Sequence, residues 1–283
     1  MRKILISSDS TCDLSEKIIK DNNIAIMPLH ISLDDKDYRD GVDIKPDFIY
    51  KTFEEKGILP KTSAPNLAEY YKHFTYLGDD TDIIHISLSS SISSSYQNAI
   101  LASGDLDNVF VIDSSNLSTG SGFLVLKALD LIKEGFSVSE IVEKLEETKR
   151  RIDTSFVLDT LEYLKEGGRC SSLAAIGANL LKIRPSIIVD NKDGNMTVGK
   201  KYRGQTDGVL LKYINDKLED VSSIDKKRII ITHSGISQEI LDMVENKIKS
   251  KEYFNEILIT RAGCTISSHC GENTLGIIFE LCS

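Results

Sequence analysis

Seven serines crowd positions 87–95, and they lie between two ordered patterns. Before them, Ile83-Ile84-His85-Ile86 reads as a short buried strand; from Tyr96 onward, through Ile100 and Leu101, the spacing is helical. A strand that ends in small hydroxyl residues just as a helix opens puts hydroxyls and free backbone N–H groups at one spot, the positive end of a helix dipole. That spot suits an anion. Phosphate and carboxylate are both candidates, because backbone geometry alone does not distinguish them.

Hydroxyls recur at Thr62 and Ser63, within a polar loop predicted over 61–66, and at 114–119 after another strand pattern. One histidine, His269, stands in the small-residue segment 263–276, where backbone can approach a ligand closely. Two arginines adjoin glycines: Arg169 after Gly167-Gly168, and Arg203 before Gly204. Arg169 suits either a surface ion pair or a helix C-terminal charge. The chain has no G-x-x-x-x-G-K-[ST], no G-x-G-x-x-G after its first strand, no H-E-x-x-H and no G-x-S-x-G. Nucleotide use, zinc hydrolysis and ordinary serine esterase chemistry all lose support, and no metal site is expected. An acyl-transfer hydrolase would need Ser93 or Ser63 as nucleophile, His269 as base and Glu272, the acid nearest in sequence, as orienter. A phosphate or phosphosugar binder would favour more Lys and Arg around the hydroxyl loops.

The elements that must position these groups follow from periodicity and capping. A strand over 3–7 leads through Asp9-Ser10-Thr11-Cys12-Asp13 into a helix, with Asp13 and Glu16 in capping-box spacing. A strand over 24–33, helices over 46–55 and 66–76, and a strand over 108–113 follow, and Ser137 with Glu140 forms another capping box. This alternation implies a parallel sheet whose binding loops sit at the carboxyl ends of its strands. From about residue 154 strands dominate, with Asn191-Lys192-Asp193-Gly194-Asn195 as a hairpin signal between two of them. The expected architecture is α/β: an N-terminal Rossmann-like parallel-sheet domain over 1–153 and a C-terminal α+β domain over 154–283.

With 283 residues, 41% of them hydrophobic, the chain can bury a sizeable core. A net charge of -9 argues against general nucleic-acid binding and against attachment to membranes through a basic patch. The five cysteines form an odd set with no C-x-x-C, as in a reduced cytosolic protein. No signal-peptide core follows Met1, and no apolar run approaches the roughly 20 residues of a bilayer span. A cytoplasmic protein without an integral membrane segment is expected.

Six ordered motifs resemble one family over essentially the whole chain. They are Asp9-Ser10-Thr11-Cys12-Asp13-Leu14, Tyr38-Arg39-Asp40-Gly41-Val42-Asp43, Thr62-Ser63-Ala64-Pro65-Asn66, the serine stretch, Leu158 through Gly167-Gly168-Arg169, and the His269 segment. The sequence resembles the DegV family, whose characterised members are FakB-type fatty-acid-binding proteins. The resemblance implies a two-domain bacterial lipid carrier, not itself an enzyme, with a fatty-acid tunnel between its domains and no cofactor. It implies that Thr62, Ser93 (with the Ser94 backbone) and His269 hold the ligand carboxylate, with Ser63 in the same loop. It further implies that the carrier presents that carboxylate to a separate ATP-dependent fatty acid kinase, forming the acyl phosphate used for phospholipid synthesis. Arg203 matches the region implicated in docking the kinase, and Arg169 is assigned with it to the partner-facing surface. The chain departs from the family pattern at Ala64 and Asn66, at Ser94-Ser95, and at Cys270 through Asn273, which brings the acidic Glu272 close to the site in sequence.

Overall fold

The apolar run Ile4-Leu5-Ile6 forms the middle of β1 (Lys3–Asp9) in the computed structural model, which describes residues 2–169 and 183–282. After it come β2 (Ala25–Met27), β3 (His30–Leu33), β4 (Lys36–Arg39), β5 (Lys61–Ser63), β6 (Thr81–Ser87) and β7 (Val109–Asp113). The later strands are β8 (Ile152–Val157), β9 (Ile183–Val189), β10 (Met196–Arg203), β11 (Ile224–Ser234), β12 (Glu256–Arg261) and β13 (Thr274–Leu281). Helices α1 (Glu16–Asp21), α2 (Pro46–Lys56), α3 (Leu67–Leu77), α4 (Ser95–Ser103), α5 (Thr119–Lys133) and α6 (Val138–Thr148) belong to the first half. The second half carries α7 (Glu162–Glu166), α8 (Thr206–Lys217), α9 (Gln238–Lys249) and α10 (Cys264–Cys270).

One sheet, in the order β2-β1-β6-β7, is parallel throughout, so the hydroxyl-rich ends of β1, β6 and β7 all open on the same edge. A second sheet, β10-β9-β8-β13-β11-β12, is antiparallel except for the β11–β12 pair. The expected α/β fold, with a parallel sheet and a separate mixed sheet, is therefore present. The division expected after residue 153 falls inside β8, two residues into the strand.

Helix α5 joins the two sheets. Ten of its 15 residues are buried, as befits a helix covered on every side. Phe123 and Leu124 share one apolar cluster with Ile6, Ile84 and Ile112 of the parallel sheet and with Ile230 and Ile278 of the mixed sheet. On its other face the mixed sheet packs against α8 and α9 through Val209, Tyr213, Leu241 and Val244. No helix among the described residues is long and apolar enough to cross a membrane. Cys12, Cys264, Cys270 and Cys282 are free thiols, the first three buried; Cys170 lies outside the described residues.

Three local expectations are corrected. The strand expected over 24–33 is two strands in two sheets, broken where Pro28 offers no N–H to continue the ladder. The polar loop expected over 61–66 begins as β5, which pairs antiparallel with β3 in a small third sheet, β4-β3-β5. Three residues are too few to show a period, so only the partner strand reveals it. Asp13 does not cap α1: Ser15 does, accepting from the Ile18 N–H. Asp13 sits in a left-handed turn that carries its carboxylate into the interior. The capping box of Ser137 and Glu140 is present, as is a second formed by Asn66 and Glu69.

Candidate functional site

Two buried carboxylates decide where His269 stands. Helix α10 has an unprovided N-terminus, because its own cap residue is Gly263, which has no side chain. Asp40 accepts from the Cys264 N–H at 2.7 Å and the Thr265 N–H at 3.2 Å, and Asp13 accepts from the Gly263 N–H at 2.8 Å. Both acids come from the distant N-terminal segment, and the Asp40 charge lies where the helix dipole favours it. Ser10 donates to Asp40 at 2.9 Å and Ser118 donates to Asp13 at 2.5 Å. Burial, opposed by the bonds from Ser118 and Gly263 and helped by the nearby Asp40 charge, pushes the Asp13 carboxyl up to about 8.

Asp9 does the same for the serine loop. Its carboxylate accepts from Ser87 Oγ and the Leu88 N–H, both at 2.8 Å, and from the Tyr70 hydroxyl at 2.5 Å. Burial alone would raise this carboxyl; His85, Tyr70 and the Leu88 N–H outweigh it and hold it below the ordinary range. Beyond that anchor, the Ser89 N–H bonds to the Asn116 carbonyl, and Ser91 donates to the Asp193 carbonyl in the β9–β10 turn.

Between these anchored segments lies a cavity that opens to the surface. Its walls are largely apolar: Leu29, Leu88, Ile92 and Leu117 from the first half, Phe156, Leu164, Met196 and Ile266 from the second. Polar groups gather among them. Thr62 Oγ1 lies 2.8 Å from His269 Nε2, and Ser93 Oγ accepts from the Ser95 N–H at 3.1 Å beside Ser95 Oγ at 2.9 Å. Arg169 lines the same cavity, donating to the carbonyls of Gly167 at 2.9 Å and Ile92 at 3.4 Å.

Burial, with the Arg169 charge adding to it, lowers His269 to about 4, so the ring is neutral at neutral pH. Its buried Nδ1 has no hydrogen-bond partner among the described residues. A buried bare lone pair is less costly than a buried orphan N–H, so the proton belongs on Nε2, donated to Thr62 Oγ1. Thr62 then has its own O–H free to donate into the cavity. Ser93, accepting from a backbone N–H, is left in the same state when Ser95 is the donor of the bond between their hydroxyls. The arrangement offers hydroxyl donors and a guanidinium to an anionic group, at the edge of an apolar chamber.

Thr62, Ser63, Ser93, Arg169 and His269 thus all line one cavity, although they come from four separate segments. Ser94 does not: it precedes α4 with an exposed side chain. Arg203 ends β10, exposed and outside the cavity wall. Glu272 is exposed too, against Gly235, and no carboxylate meets His269 Nδ1 among the described residues. Reading the sequence missed the positioning role of Asp9, Asp13 and Asp40. Its only signal was their place in two of the motifs, since partners such as Leu88, 79 positions from Asp9, and Gly263, 250 positions from Asp13, leave no local pattern.

Comparison with known proteins places this geometry in a family. The family model described as "Uncharacterised protein, DegV family" matches residues 3–281. A DegV domain-containing protein of Caldanaerobacter subterraneus is 36% identical, with 99% of each chain covered. Among solved structures, a fatty-acid-binding DegV family protein from Thermus thermophilus matches with a TM-score of 0.89 at 26% identity, over 100% of both chains. DegV, a fatty acid binding protein from Bacillus subtilis, matches at 0.85 and 28% identity, again over 100% of both chains. Sequence and structure agree across the full length, and the chain belongs to the DegV family.

Proposed function

We propose that this protein is a cytoplasmic carrier that holds one long-chain fatty acid between the units 1–153 and 154–283 and has no turnover of its own. The observation that carries the reading is the apolar cavity with free hydroxyl donors and Arg169 gathered in its wall. Thr62 and Ser93 donate to the carboxylate, His269 orients Thr62, and Arg169 supplies the compensating charge. Ser63 stands at the rim, and the part of Ser94 is confined to its backbone. Fatty-acid binding by the related proteins of Thermus thermophilus and Bacillus subtilis supports the same ligand class.

Energetics favour it as well. A buried carboxylate costs several kcal/mol unless hydrogen-bonded, and bonds to a charged acceptor return roughly 1.5–3 kcal/mol each. Burying about 14 methylenes at ~0.8 kcal/mol each yields on the order of 11 kcal/mol before association costs. A small anion would use none of the apolar wall. The hydrolase alternative lacks an acid on His269 Nδ1 among the described residues.

Mass spectrometry of the purified protein, native against denatured, should find about one long-chain fatty acid per chain. Thr62→Ala should exchange that lipid about tenfold or more faster while leaving the fold intact, since it removes one donor to a charged acceptor. Absence of lipid, together with no uptake when fatty acid is offered, would defeat the reading.

The carrier reading includes a partner, an ATP-dependent fatty acid kinase that converts the presented carboxylate to the acyl phosphate for phospholipid synthesis. Arg203, exposed at the end of β10, is the cation proposed to meet it. A rim charge sets association rate more than ligand affinity. Arg203→Ala should therefore leave the lipid content unchanged and lower kinase-dependent acyl-phosphate formation several-fold, most clearly at low salt. Unaltered kinase turnover in the variant removes the role.

A further inference from the structure

A second, inner compartment adjoins the cavity, with a more deeply buried lining. Leu117, Phe156, Ile266 and Cys270 line both, so the two share a wall. With the carboxylate held at Thr62 and Ser93, an acyl chain that passes this shared wall enters the inner compartment with its far half. Its wall is not that of a hydrocarbon sleeve.

Thr154 on β8, Thr232 and Ser234 on β11, and Thr274 on β13 all line it, joined by Ser118. Register explains the concentration of hydroxyls. Ser234 pairs with Thr274 and Thr232 with Gly276, while Thr154 pairs with Ile278, so every second residue of each strand faces the compartment. The intervening Ser155 faces the other way, to the Tyr213 hydroxyl at 2.9 Å. Most of the inward hydroxyls already have partners. Thr232 lies 3.2 Å from Thr260 and also bonds Thr119; Ser234 lies 3.2 Å from Ser267; Thr274 donates to the Cys270 carbonyl at 3.0 Å.

Thr154 is the exception. It is 3% exposed, and its Oγ1 has no hydrogen-bond partner among the described residues. The Asn116 side chain approaches the same point: an added methyl on Gly120 would lie within 3 Å of both Asn116 Oδ1 and Thr154 Oγ1. Asn116 Nδ2 is likewise buried and unpartnered among the described residues. An all-methylene chain end would leave these groups unpaired in a dry setting, where unpaired polar atoms are costly. A hydroxyl on the chain can both donate to and accept from Thr154, and Thr274 and Ser118 retain lone pairs that can accept from it.

We propose that the inner compartment recognises a polar substituent, a hydroxyl or oxo group, in the far half of the acyl chain, with Thr154 as the residue that reads it. This rests on the fatty-acid carrier reading and names a substrate class within it. A site built to hydrogen-bond a substrate hydroxyl discriminates against the analogue that lacks it, whereas a methylene-lined sleeve would do the opposite.

The test is competition binding to the full chain after delipidation, with ricinoleate against oleate and ω-hydroxyhexadecanoate against hexadecanoate. At least one hydroxylated chain should bind about fivefold or more tighter than its parent. Thr154→Val keeps the shape and breaks no hydrogen bond within the described protein, so it should fold normally, erase that preference and bind the unsubstituted parent at least as well as wild type does. Equal or weaker binding of both hydroxylated chains overturns the proposal and leaves the carrier reading standing, with water as the partner of Thr154. A preference that survives Thr154→Val also overturns it. Failure to bind any of the four acids would bring down the carrier reading itself.

Discussion

Gly167→Ala should release bound fatty acid without unfolding the protein. A Cβ at this position would lie 2.2 Å from His269 Nδ1 and 2.7 Å from Cε1, so the imidazole must swing away. The ring is partly buried and tied to Thr62 by its other nitrogen, and moving it breaks that bond. Thr62 then loses the partner that orients its hydroxyl, and the carboxylate loses a positioned donor worth roughly 1.5–3 kcal/mol. Affinity should fall by about 10- to 100-fold. Gly167 itself has ordinary right-handed backbone geometry, so alanine needs no unusual φ and removes entropy from the unfolded state, and its methyl meets the main chain at the Tyr163 carbonyl oxygen, 3.0 Å away. Gly168 supplies the control. Its φ is +70°, and an added methyl would meet only open space, so Gly168→Ala should cost about 1 kcal/mol of stability and spare His269. Equal lipid retention in the two variants would remove the contact between Gly167 and His269 from the account of the site.

Asp40→Ala should produce the larger loss of stability. It strips acceptors from the Cys264 and Thr265 N–H groups and from Ser10 Oγ, and the carboxylate it removes is 2% exposed. Losing a helix cap alone costs about 1 kcal/mol, and stranded buried donors add roughly 1–3 kcal/mol each. One effect opposes this. The Asp40 charge adds to the burial that raises the Asp13 carboxyl, so its removal eases the ionisation of Asp13 beside the Gly263 N–H. The net loss should be on the order of 3 kcal/mol, read as a fall in the urea midpoint at unchanged slope. Lipid retention should fall with it, because α10 carries His269. Asp40→Asn, which keeps one acceptor oxygen, should recover about half the stability. An unchanged midpoint in Asp40→Ala would show that α10 needs no cap from the N-terminal segment.

Both expectations concern residues that touch no ligand. The site's hydroxyls and imidazole sit on short elements, a three-residue strand and a seven-residue helix, which have little stability of their own. Their geometry is borrowed from Asp9, Asp13 and Asp40, and from backbone that approaches closely at Gly167.

Much of this was written locally in the chain. The apolar runs at Ile4-Leu5-Ile6 and Ile83-Ile84-His85-Ile86, the serines that follow the second, and the capping box at Ser137 and Glu140 each announce their element, because strand period, turn chemistry and capping act within a few residues. The α/β alternation and the change of pattern near residue 154 were legible for the same reason. The motifs also singled out Thr62, Ser93, Arg169 and His269, and the family resemblance grouped Thr62, Ser93 and His269 at one carboxylate, but neither told that Arg169 turns inward to line the same wall or that the Ser94 side chain stands outside it. Those outcomes, and the split of 24–33 between two sheets, depend on partners far along the chain. Asp40 meets Cys264 across 224 positions and Thr62 meets His269 across 207, and such segments come together where Cys264 packs against Ile31 and Ile49 and Ile266 against Leu29 and Leu88. Short-range periodicity records which side of an element is apolar; which other element covers that side is set by the tertiary fold, and the functional cavity is built from that choice.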